Sequence, residues 1–171
     1  SSVLTGKGVP FGGSLIRPEA TGYGTVYFAE DMLMRRGQSL EGMRVAISGS
    51  GNVAQYAAQK AMHLGGKVIA MSDSGGTVHM PDGMTDEDWL ALVDLKEVRR
   101  GRVSEFAAER GYAFLEGKRP WSIPCEIALP CATQNELDES DARTLVANGC
   151  FCVAEGANMP STLDAVHVFR D

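Results

Sequence analysis

The chain has 171 residues, of which 44% are hydrophobic and 22% are charged, and it carries a net charge of −6 with a pI near 5.1. This composition is ordinary for a globular domain with one real core, and it argues against a nucleic-acid partner, which would need clustered Lys and Arg. The sequence has no run of about 18 apolar residues and no apolar signal segment, so we expect neither a membrane span nor secretion.

The first predicted elements form a βαβ unit. A glycine-rich lead-in, GKGVPFGG, precedes a helix that we expect to begin at Pro18 and to end near Gly37. RVAIS (44–48) is typical of a buried strand, alanines then recur at helical spacing, and KVIAMSD (67–73) predicts the next strand. A strand, a helix and a second strand within about 30 residues form a βαβ unit with a right-handed crossover.

The second half of the chain continues the alternation of strands and helices. TVHMPDGM (77–84) predicts a turn or small hairpin, and Thr85 begins a helix that runs towards Arg100. Further helices are predicted over 103–110 and 139–147 and from Pro160 onwards, and further strands over 113–116, 125–130 and 150–156. We therefore predict one α/β dinucleotide-binding domain over 1–171, with a doubly wound, mostly parallel sheet of Rossmann type and helices on both faces.

The cysteines and the chain ends bear on cellular context. Cys125, Cys131, Cys150 and Cys152 form no CxxC pair and the histidines lie far from them, so we expect no metal site. Free thiols are typical of a reducing cytosol, which favours a cytoplasmic protein. The sequence has no initiator Met and ends inside an apolar helical pattern, so we expect a fragment of a longer protein.

The junction after strand 44–48 reads Gly49-x-Gly51-x-x-Ala54. The first glycine permits a tight turn, the second lets a phosphate approach the backbone, and the small third residue lets the helix pack on the strand. The helix N-terminus adds free N–H groups and the positive end of its dipole. The amides predicted to face a pyrophosphate are those of Gly49, Ser50, Gly51, Asn52 and Val53. A plain tight βα turn is the alternative.

Asp73 ends the second strand, about 20 residues beyond the glycine motif, where an acid usually bonds the ribose 2′-OH and selects NAD. Its neighbours complicate that choice. Ser74 adds a hydroxyl, and LKEVRRGR (95–102) adds a cationic cluster that could hold a 2′-phosphate. The cations of this cluster are Lys96, Arg99, Arg100 and Arg102. The cluster could equally be a solvated helix end, and the residues alone leave both possibilities open.

Two further loops follow predicted strands, at the edge of the sheet where ligands of such folds bind. PCATQNE (130–136) and AEGANMP (154–160) are rich in small residues and amides. Thr133, Gln134 and Asn158 are neutral donors and acceptors, suited to ribose hydroxyls and a carboxamide. Turn formation and helix capping are the alternative roles.

Four stretches together carry a family resemblance: FGGSLIRPEATGYG (11–24), SGSGNVAQYA (48–57), PCATQNEL (130–137) and AEGANMP (154–160). In order and separation they resemble the cofactor domain of hexameric glutamate dehydrogenases, most closely the NADP-dependent bacterial and fungal class. The resemblance covers nearly the whole chain. It implies interconversion of L-glutamate, NADP and water with 2-oxoglutarate, ammonia and NADPH.

The resemblance also implies roles for individual residues. Thr21 would bond the nicotinamide carboxamide, Asn52 would lie beside the pyrophosphate loop, and Arg17 would help to place the substrate. The residues implied along the nicotinamide ribose are Ala132, Thr133, Gln134 and Asn158. Those similar to the 2′-phosphate environment are Asp73, Ser74, Lys96 and Arg102. This similarity favours NADP, with NAD possible.

The family's catalytic lysine and proton-handling acid lie in an N-terminal domain, and no residue here matches them, so the resemblance assigns no catalytic residue to this chain. It implies a two-domain homohexameric parent enzyme, and a fragment that binds cofactor without turnover. Two alternatives stay open. One is an NAD-dependent leucine- or phenylalanine-type amino acid dehydrogenase, and the other is a non-catalytic nucleotide-sensing domain.

Overall fold

The structure is a computed structural model that describes residues 3–7, 18–132 and 137–156. Several predictions fall outside these ranges, namely the roles of Arg17, Thr133, Gln134 and Asn158 and the helix near Pro160. Among the described helices, none combines the length and the apolar character that crossing a bilayer requires.

Seven strands and five α-helices are described. The strands are β1 (Leu4–Lys7), β2 (Arg44–Ser48), β3 (Lys67–Asp73), β4 (Gly76–His79), β5 (Ala113–Glu116), β6 (Ile127–Pro130) and β7 (Cys152–Glu155). The α-helices are α1 (Pro18–Met34), α2 (Asn52–His63), α3 (Asp86–Val93), α4 (Val103–Arg110) and α5 (Glu139–Ala147). A π-helical segment (Asp94–Val98) follows α3, and a short 3₁₀ helix (Pro120–Ser122) precedes β6.

The strands form one sheet in the order β1-β7-β6-β2-β3-β4-β5. All neighbours pair in parallel except β4, which is antiparallel to both β3 and β5. From β2 the chain passes first to β3 on one side and later to β6 on the other. The strand order therefore reverses between β2 and β6, which is the point where open α/β sheets bind ligands.

Helices cover both faces of the sheet, as predicted. One core packs residues of α1, α2, α3 and α4 against the face that carries Val45 and Ile47. The second core packs α5 and Trp121 of the 3₁₀ helix against the face that carries Ala46. The alternation of Val45, Ala46 and Ile47 between two apolar layers explains why β2 is hydrophobic throughout, since a central parallel strand is buried on both sides.

A bulge interrupts β3. Val45 pairs with Val68, whereas the next residue, Ala46, pairs with Ala70, so Ile69 is the extra residue. Ile69 and Ala70 accordingly both belong to the second core. Because side chains alternate along a strand, one inserted residue reverses the faces of those that follow, including Ser72 at the ligand edge.

Two strands differ from the sequence expectation. β1 lies where we predicted only a glycine-rich lead-in. The sequence did not indicate a strand there, because the strand is short and contains Gly6. That glycine is required by packing, since a Cβ there would lie 2.0 Å from a ring carbon of Phe28. β4 lies in the segment predicted as a turn or small hairpin, and it forms the middle of an antiparallel meander with β3 and β5.

The helix predicted from Thr85 towards Arg100 is also different. The α-helix ends at Val93, and the chain continues as a π-helical segment in which the Arg99 amide donates to the Asp94 carbonyl at 3.1 Å. The Gly101 amide then donates to the carbonyl of Leu95 at 2.8 Å. A π turn depends on packing more than on helical periodicity, so the apolar pattern did not indicate it.

Candidate functional site

The turn after β2 requires glycine at its first position. Gly49 has φ of 95°, a backbone conformation that L side chains rarely adopt. A Cβ there would also lie 3.1 Å from the amide nitrogen of Ala132, so the turn touches the loop that follows β6. We expected the Gly49 amide to face a pyrophosphate, but it donates to the hydroxyl of Ser72 at 3.1 Å. This amide is therefore already engaged within the protein.

The N-terminus of α2 is open. Gly51 is its N-cap residue, has extended backbone angles and makes no side-chain capping bond. A Cβ added to Gly51 would meet no described atom within 4 Å, and both Gly51 and the next residue, Asn52, are exposed. A helix whose first N–H groups lack side-chain caps and face open space can accept an anion, because those donors and the dipole both favour negative charge.

Buried polar side chains hold this turn in place. Gln55 is 2% exposed, and its amide nitrogen donates to the carbonyl of Ser50 at 2.8 Å. On the other side, the Cys131 amide donates to the buried Ser48 hydroxyl at 3.2 Å. Sequence reasoning missed these residues, since a glutamine within an alanine-rich helix and a serine at a strand end carry no distinctive signal.

Gly156, directly after β7, marks the meeting point of four segments. A Cβ there would lie 2.8 Å from Thr25 Oγ1, 3.0 Å from Cys131 Sγ and 3.4 Å from Val53 Cγ1. Helix α1, the first turn of α2 and the ends of β6 and β7 therefore converge at the switch point of the sheet.

Helices α1 and α2 approach each other closely at Gly22. A Cβ on Gly22 would lie 2.6 Å from the Val53 carbonyl oxygen. Thr21, the preceding residue of α1, is half-buried, and so is Ala132 beyond β6. The structure thus brings Thr21, Val53 and Ala132 to the same end of the sheet.

Asp73 is already engaged within the protein. Its Oδ1 accepts from the Gly75 amide at 2.9 Å, and its Oδ2 accepts from the amide of Val103, the first residue of α4, also at 2.9 Å. Lys96 Nζ lies 3.8 Å from the same Oδ2. Both carboxylate oxygens therefore stabilise the protein's own loops, and each keeps a second lone pair that could accept from a ribose hydroxyl.

Ser74 and Arg102 meet at an open pocket beside Asp73. Arg102 Nη1 donates to Ser74 Oγ at 3.0 Å, and both side chains are exposed. The pocket measures about 430 Å³. It is lined by Asp73, Ser74, Gly75, Arg102, Ser104, Phe114 and Glu116. Ser72 links this pocket to the α2 turn, because it precedes Asp73 in β3 and its hydroxyl accepts from Gly49.

The predicted cationic cluster divides into two groups. Lys96 and Arg102 contact Asp73 and Ser74, whereas Arg99 pairs with Asp94 at 3.3 Å and with Glu109 at 2.8 Å. The Arg99 guanidinium holds the pKa of Glu109 below its ordinary value. Arg99 therefore complements acids of its own neighbourhood, and Arg102 is the arginine of the cluster that lines the pocket.

Comparisons with known proteins identify the family of this chain. The family described as Glutamate/Leucine/Phenylalanine/Valine dehydrogenase matches residues 12–171. The NADP-specific glutamate dehydrogenase of Salmonella typhimurium is 61% identical over 171 residues, which are 100% of this chain and 38% of that protein. The NAD(P)-specific glutamate dehydrogenase of Xylanibacter ruminicola is 56% identical, over 99% of this chain and 38% of that protein.

A solved structure shares the fold. The crystal structure of Plasmodium falciparum glutamate dehydrogenase superposes with a TM-score of 0.87 at 46% identity, covering 94% of this chain and 34% of that one. The chain thus spans little more than a third of the length of the curated relatives it matches.

Proposed function

Because the chain belongs to the glutamate/leucine/phenylalanine/valine dehydrogenase family, we propose that it is the dinucleotide-binding part of an NADP-dependent glutamate dehydrogenase. That enzyme interconverts L-glutamate, NADP and water with 2-oxoglutarate, ammonia and NADPH. The observation that carries the proposal is the uncapped N-terminus of α2 at the strand switch point between β2 and β6. The relatives named NADP-specific glutamate dehydrogenase support the choice of substrate.

Residues of this chain hold successive parts of the cofactor along the edge of the sheet. The amides of Ser50, Gly51, Asn52 and Val53 receive the pyrophosphate, helped by the dipole of α2. The nicotinamide half extends towards the ends of β6 and β7. The residues that would hold it are Thr21, Ala132, Thr133, Gln134 and Asn158. When bound, the nicotinamide carries the hydride, and the contribution of this chain is to position it.

The pocket beside Asp73 favours NADP. An arginine and a serine hydroxyl at its lining suit a 2′-phosphate, which accepts charge-assisted hydrogen bonds. Lys96 neutralises Asp73, whose oxygens are otherwise occupied by backbone amides. NAD is still accommodated, because the remainder of the site does not depend on the 2′ position.

The substrate side of the reaction draws on more than this chain. Arg17 helps to place the carboxylates of L-glutamate or 2-oxoglutarate, and the acid–base groups come from a second domain of a homohexameric enzyme. Closure of the two domains expels water from the site. This chain by itself therefore binds cofactor and does not turn over glutamate.

The test is a titration of the purified chain with NADPH and NADH, followed by nicotinamide fluorescence, together with an assay of glutamate oxidation. We expect saturable binding of both cofactors, tighter binding of NADPH, and no turnover. Tighter binding of NADH would remove the 2′-phosphate assignment and favour an NAD-dependent amino acid dehydrogenase. If neither cofactor binds, the dinucleotide proposal itself fails.

A further inference from the structure

One glutamine holds both peptide groups that flank the exposed Gly51. The backbone amide of Gln55 donates to the Gly51 carbonyl at 2.9 Å, and its side-chain amide donates to the Ser50 carbonyl at 2.8 Å. The Gly51 carbonyl belongs to the N-cap residue and accepts the first hydrogen bond of α2, whereas the Ser50 carbonyl lies one residue before it. The Gln55 side chain therefore extends the restraint of the helix to one further peptide, between Ser50 and Gly51.

The direction of these two carbonyls decides the direction of two amides. In a planar trans peptide, the C=O and N–H bonds point in opposite directions. Because the Ser50 carbonyl points at the buried Gln55 side chain, the Gly51 N–H points away from it. The bond to the Gly51 carbonyl orients the Asn52 N–H in the same manner. Since Gly51 and Asn52 are exposed, both N–H groups are directed to the open side of the turn.

The glycine at position 51 makes this restraint necessary. Glycine has no side chain to limit its backbone angles, so the peptides on either side of it rotate easily. The backbone bond from residue 55 to Gly51 forms with any amino acid that has an N–H group, but the bond to the Ser50 carbonyl depends on the glutamine side chain. Without that donor, the Ser50–Gly51 peptide is able to turn over and present its carbonyl to an anion in place of its N–H.

The surroundings of Gln55 require a hydrogen-bond donor. Its Nε2 lies 2.8 Å from the Ser50 carbonyl oxygen and 3.5 Å from Glu97 Oε1 of the π-helical segment. Both neighbours accept hydrogen bonds, so the nitrogen of the side-chain amide faces them, and a carboxylate here would have no proton to offer. Trp89 of α3 holds the main chain of the same residue, since its Nε1 donates to the Gln55 carbonyl at 2.7 Å. Gln55 is therefore fixed from two neighbouring elements.

We propose that Gln55 is a positioning residue for the dinucleotide, because its side chain holds the Ser50–Gly51 peptide so that the Gly51 N–H donates to the pyrophosphate. This inference rests on the proposed function, which assigns the anion at the N-terminus of α2 to the cofactor. The Gln55 side chain is 2% exposed, so it acts through that peptide and not by contact with the cofactor. NADPH and NADH share the pyrophosphate, so Gln55 contributes to the affinity for both and not to the choice between them.

The first experiment compares two variants of α2 by fluorescence titration with NADPH and NADH. Gln55→Met keeps the length of the side chain and removes its donor, so we expect both cofactors to bind about tenfold more weakly, by the same factor. Gln59→Met is the matched control, one helical turn further along. Gln59 is half-buried and accepts from the Tyr23 hydroxyl at 2.6 Å, so both affinities should stay close to those of the parent protein.

The outcomes separate this inference from the proposed function. If the parent protein binds neither cofactor, the proposed function fails and this inference fails with it. If the parent binds both and Gln55→Met binds them equally well, the role of Gln55 alone is overturned. A loss in Gln55→Met for NADPH but not for NADH also overturns it, because the pyrophosphate is common to the two cofactors.

A second measurement follows the amides by NMR and begins with the parent protein, so it remains decisive even if a variant does not fold. Saturation with NADPH should shift the amide proton of Gly51 downfield, as a bond to a phosphate oxygen does. The Gly49 amide, which donates to Ser72 at 3.1 Å, should respond less. If the Gly51 amide does not respond while NADPH binds, the proposal is overturned.

The same spectra separate positioning from a merely structural role. In Gln55→Met, we expect the response of the Gly51 amide to be lost and that of the Asn52 amide to remain, because the backbone bond from residue 55 still holds the second peptide. A structural role would lower the stability of the variant but leave the Gly51 response as in the parent protein, and that result would contradict the proposal.

Discussion

At the scale of single residues, the candidate site depends on polar side chains that contact no solvent. Ser72 accepts from the turn glycine, Gln55 donates to the carbonyl of Ser50, and Ser48 accepts from the loop beyond β6. Such buried bonds are costly to leave unmade, so each one selects a single position of the turn. These hydrogen bonds thereby fix the turn from which the open amides of α2 project.

Arg102 offers the sharpest test of cofactor selection. Arg102→Ala removes a cation from the pocket lining, so we expect NADPH binding to weaken by about 1.5–3 kcal/mol while NADH binding is unchanged. Lys96→Ala should act in the same direction. Fluorescence titration with both cofactors measures the difference.

Arg99→Ala is the matched control for that experiment. It removes the same charge three positions earlier in the chain, but Arg99 pairs with Asp94 and Glu109 and does not line the pocket. We expect this variant to bind NADPH as the parent protein does. Equal losses for both cofactors in Arg102→Ala would mean that the arginine contacts something other than the 2′-phosphate.

At the scale of elements, the site depends on how closely α1 and α2 pack. Gly22 permits that approach, since a Cβ there would lie 2.6 Å from the Val53 carbonyl oxygen and 2.9 Å from the Ala57 amide. Both atoms belong to the backbone of α2, which cannot yield as a flexible side chain can. The position of the first turn of α2 is therefore coupled to the position of α1.

The substitution Gly22→Ala tests that coupling. Overpacking at this contact should lower the free energy of unfolding by about 1–3 kcal/mol and, by shifting the first turn of α2, should weaken NADPH and NADH alike. Gly24→Ala is the control in the same helix, because a Cβ there meets no described atom within 4 Å. It should be neutral or stabilising by up to about 1 kcal/mol. Urea denaturation and cofactor titration give both quantities, and a Gly22→Ala protein with unchanged affinity would contradict the coupling.

The π-helical segment shows how an element places a functional side chain. After Val93 the chain widens its turn, and Lys96 then lies 3.8 Å from Asp73 while Arg99 lies beside Glu109. Gly101 allows the segment to fold back, since a Cβ there would lie 2.6 Å from Leu95 Cδ1. The division of the cationic cluster into two groups therefore follows from local backbone geometry.

At the scale of the whole molecule, one buried carboxylate joins three elements of the sheet's antiparallel side. Asp88 is 1% exposed, and it accepts from Arg110 Nε at 2.7 Å, Tyr112 OH at 2.6 Å and the Thr85 amide at 2.9 Å. Burial alone raises the pKa of Asp88, but the hydrogen bonds outweigh burial, and the pKa lies below its ordinary value. The charged form therefore ties α3 to α4 and to the start of β5.

Asp88 should make stability depend on pH at the acid end. Because its pKa is lower in the folded than in the unfolded chain, its contribution is complete above the unfolded value of about 3.9 and is lost as pH falls towards the folded value. We expect Asp88→Asn to lower the free energy of unfolding at pH 7 by about 2 kcal/mol and to flatten the loss of stability below pH 4. Urea unfolding across pH 3–7 measures both.

Asp86→Asn is the control for the loss of stability at low pH. Asp86 also lies in the first turn of α3, but it is exposed. Removing its charge should change stability by only a few tenths of a kcal/mol, as expected for a surface helix-dipole interaction. If both variants show the same acid dependence, the Asp88 network is not its source.

The sequence by itself determined the chain's class and its glycine turn between β2 and α2. Periodicity placed β2, β3 and the single helix α2 between them, because apolar spacing is a local property. The motif at Gly49–Ala54 indicated a turn whose glycines the structure explains, one by its positive φ and the other by the open space at its side.

Only the tertiary structure decided which groups meet. That Ser72 occupies the Gly49 amide and that Asp73 caps α4 both depend on segments far apart in the chain. The same holds for β1 and the π turn after α3, whose stability comes from neighbours rather than from their own residues. Local preferences specify elements, whereas contacts between distant residues are set by the packing of the whole sheet.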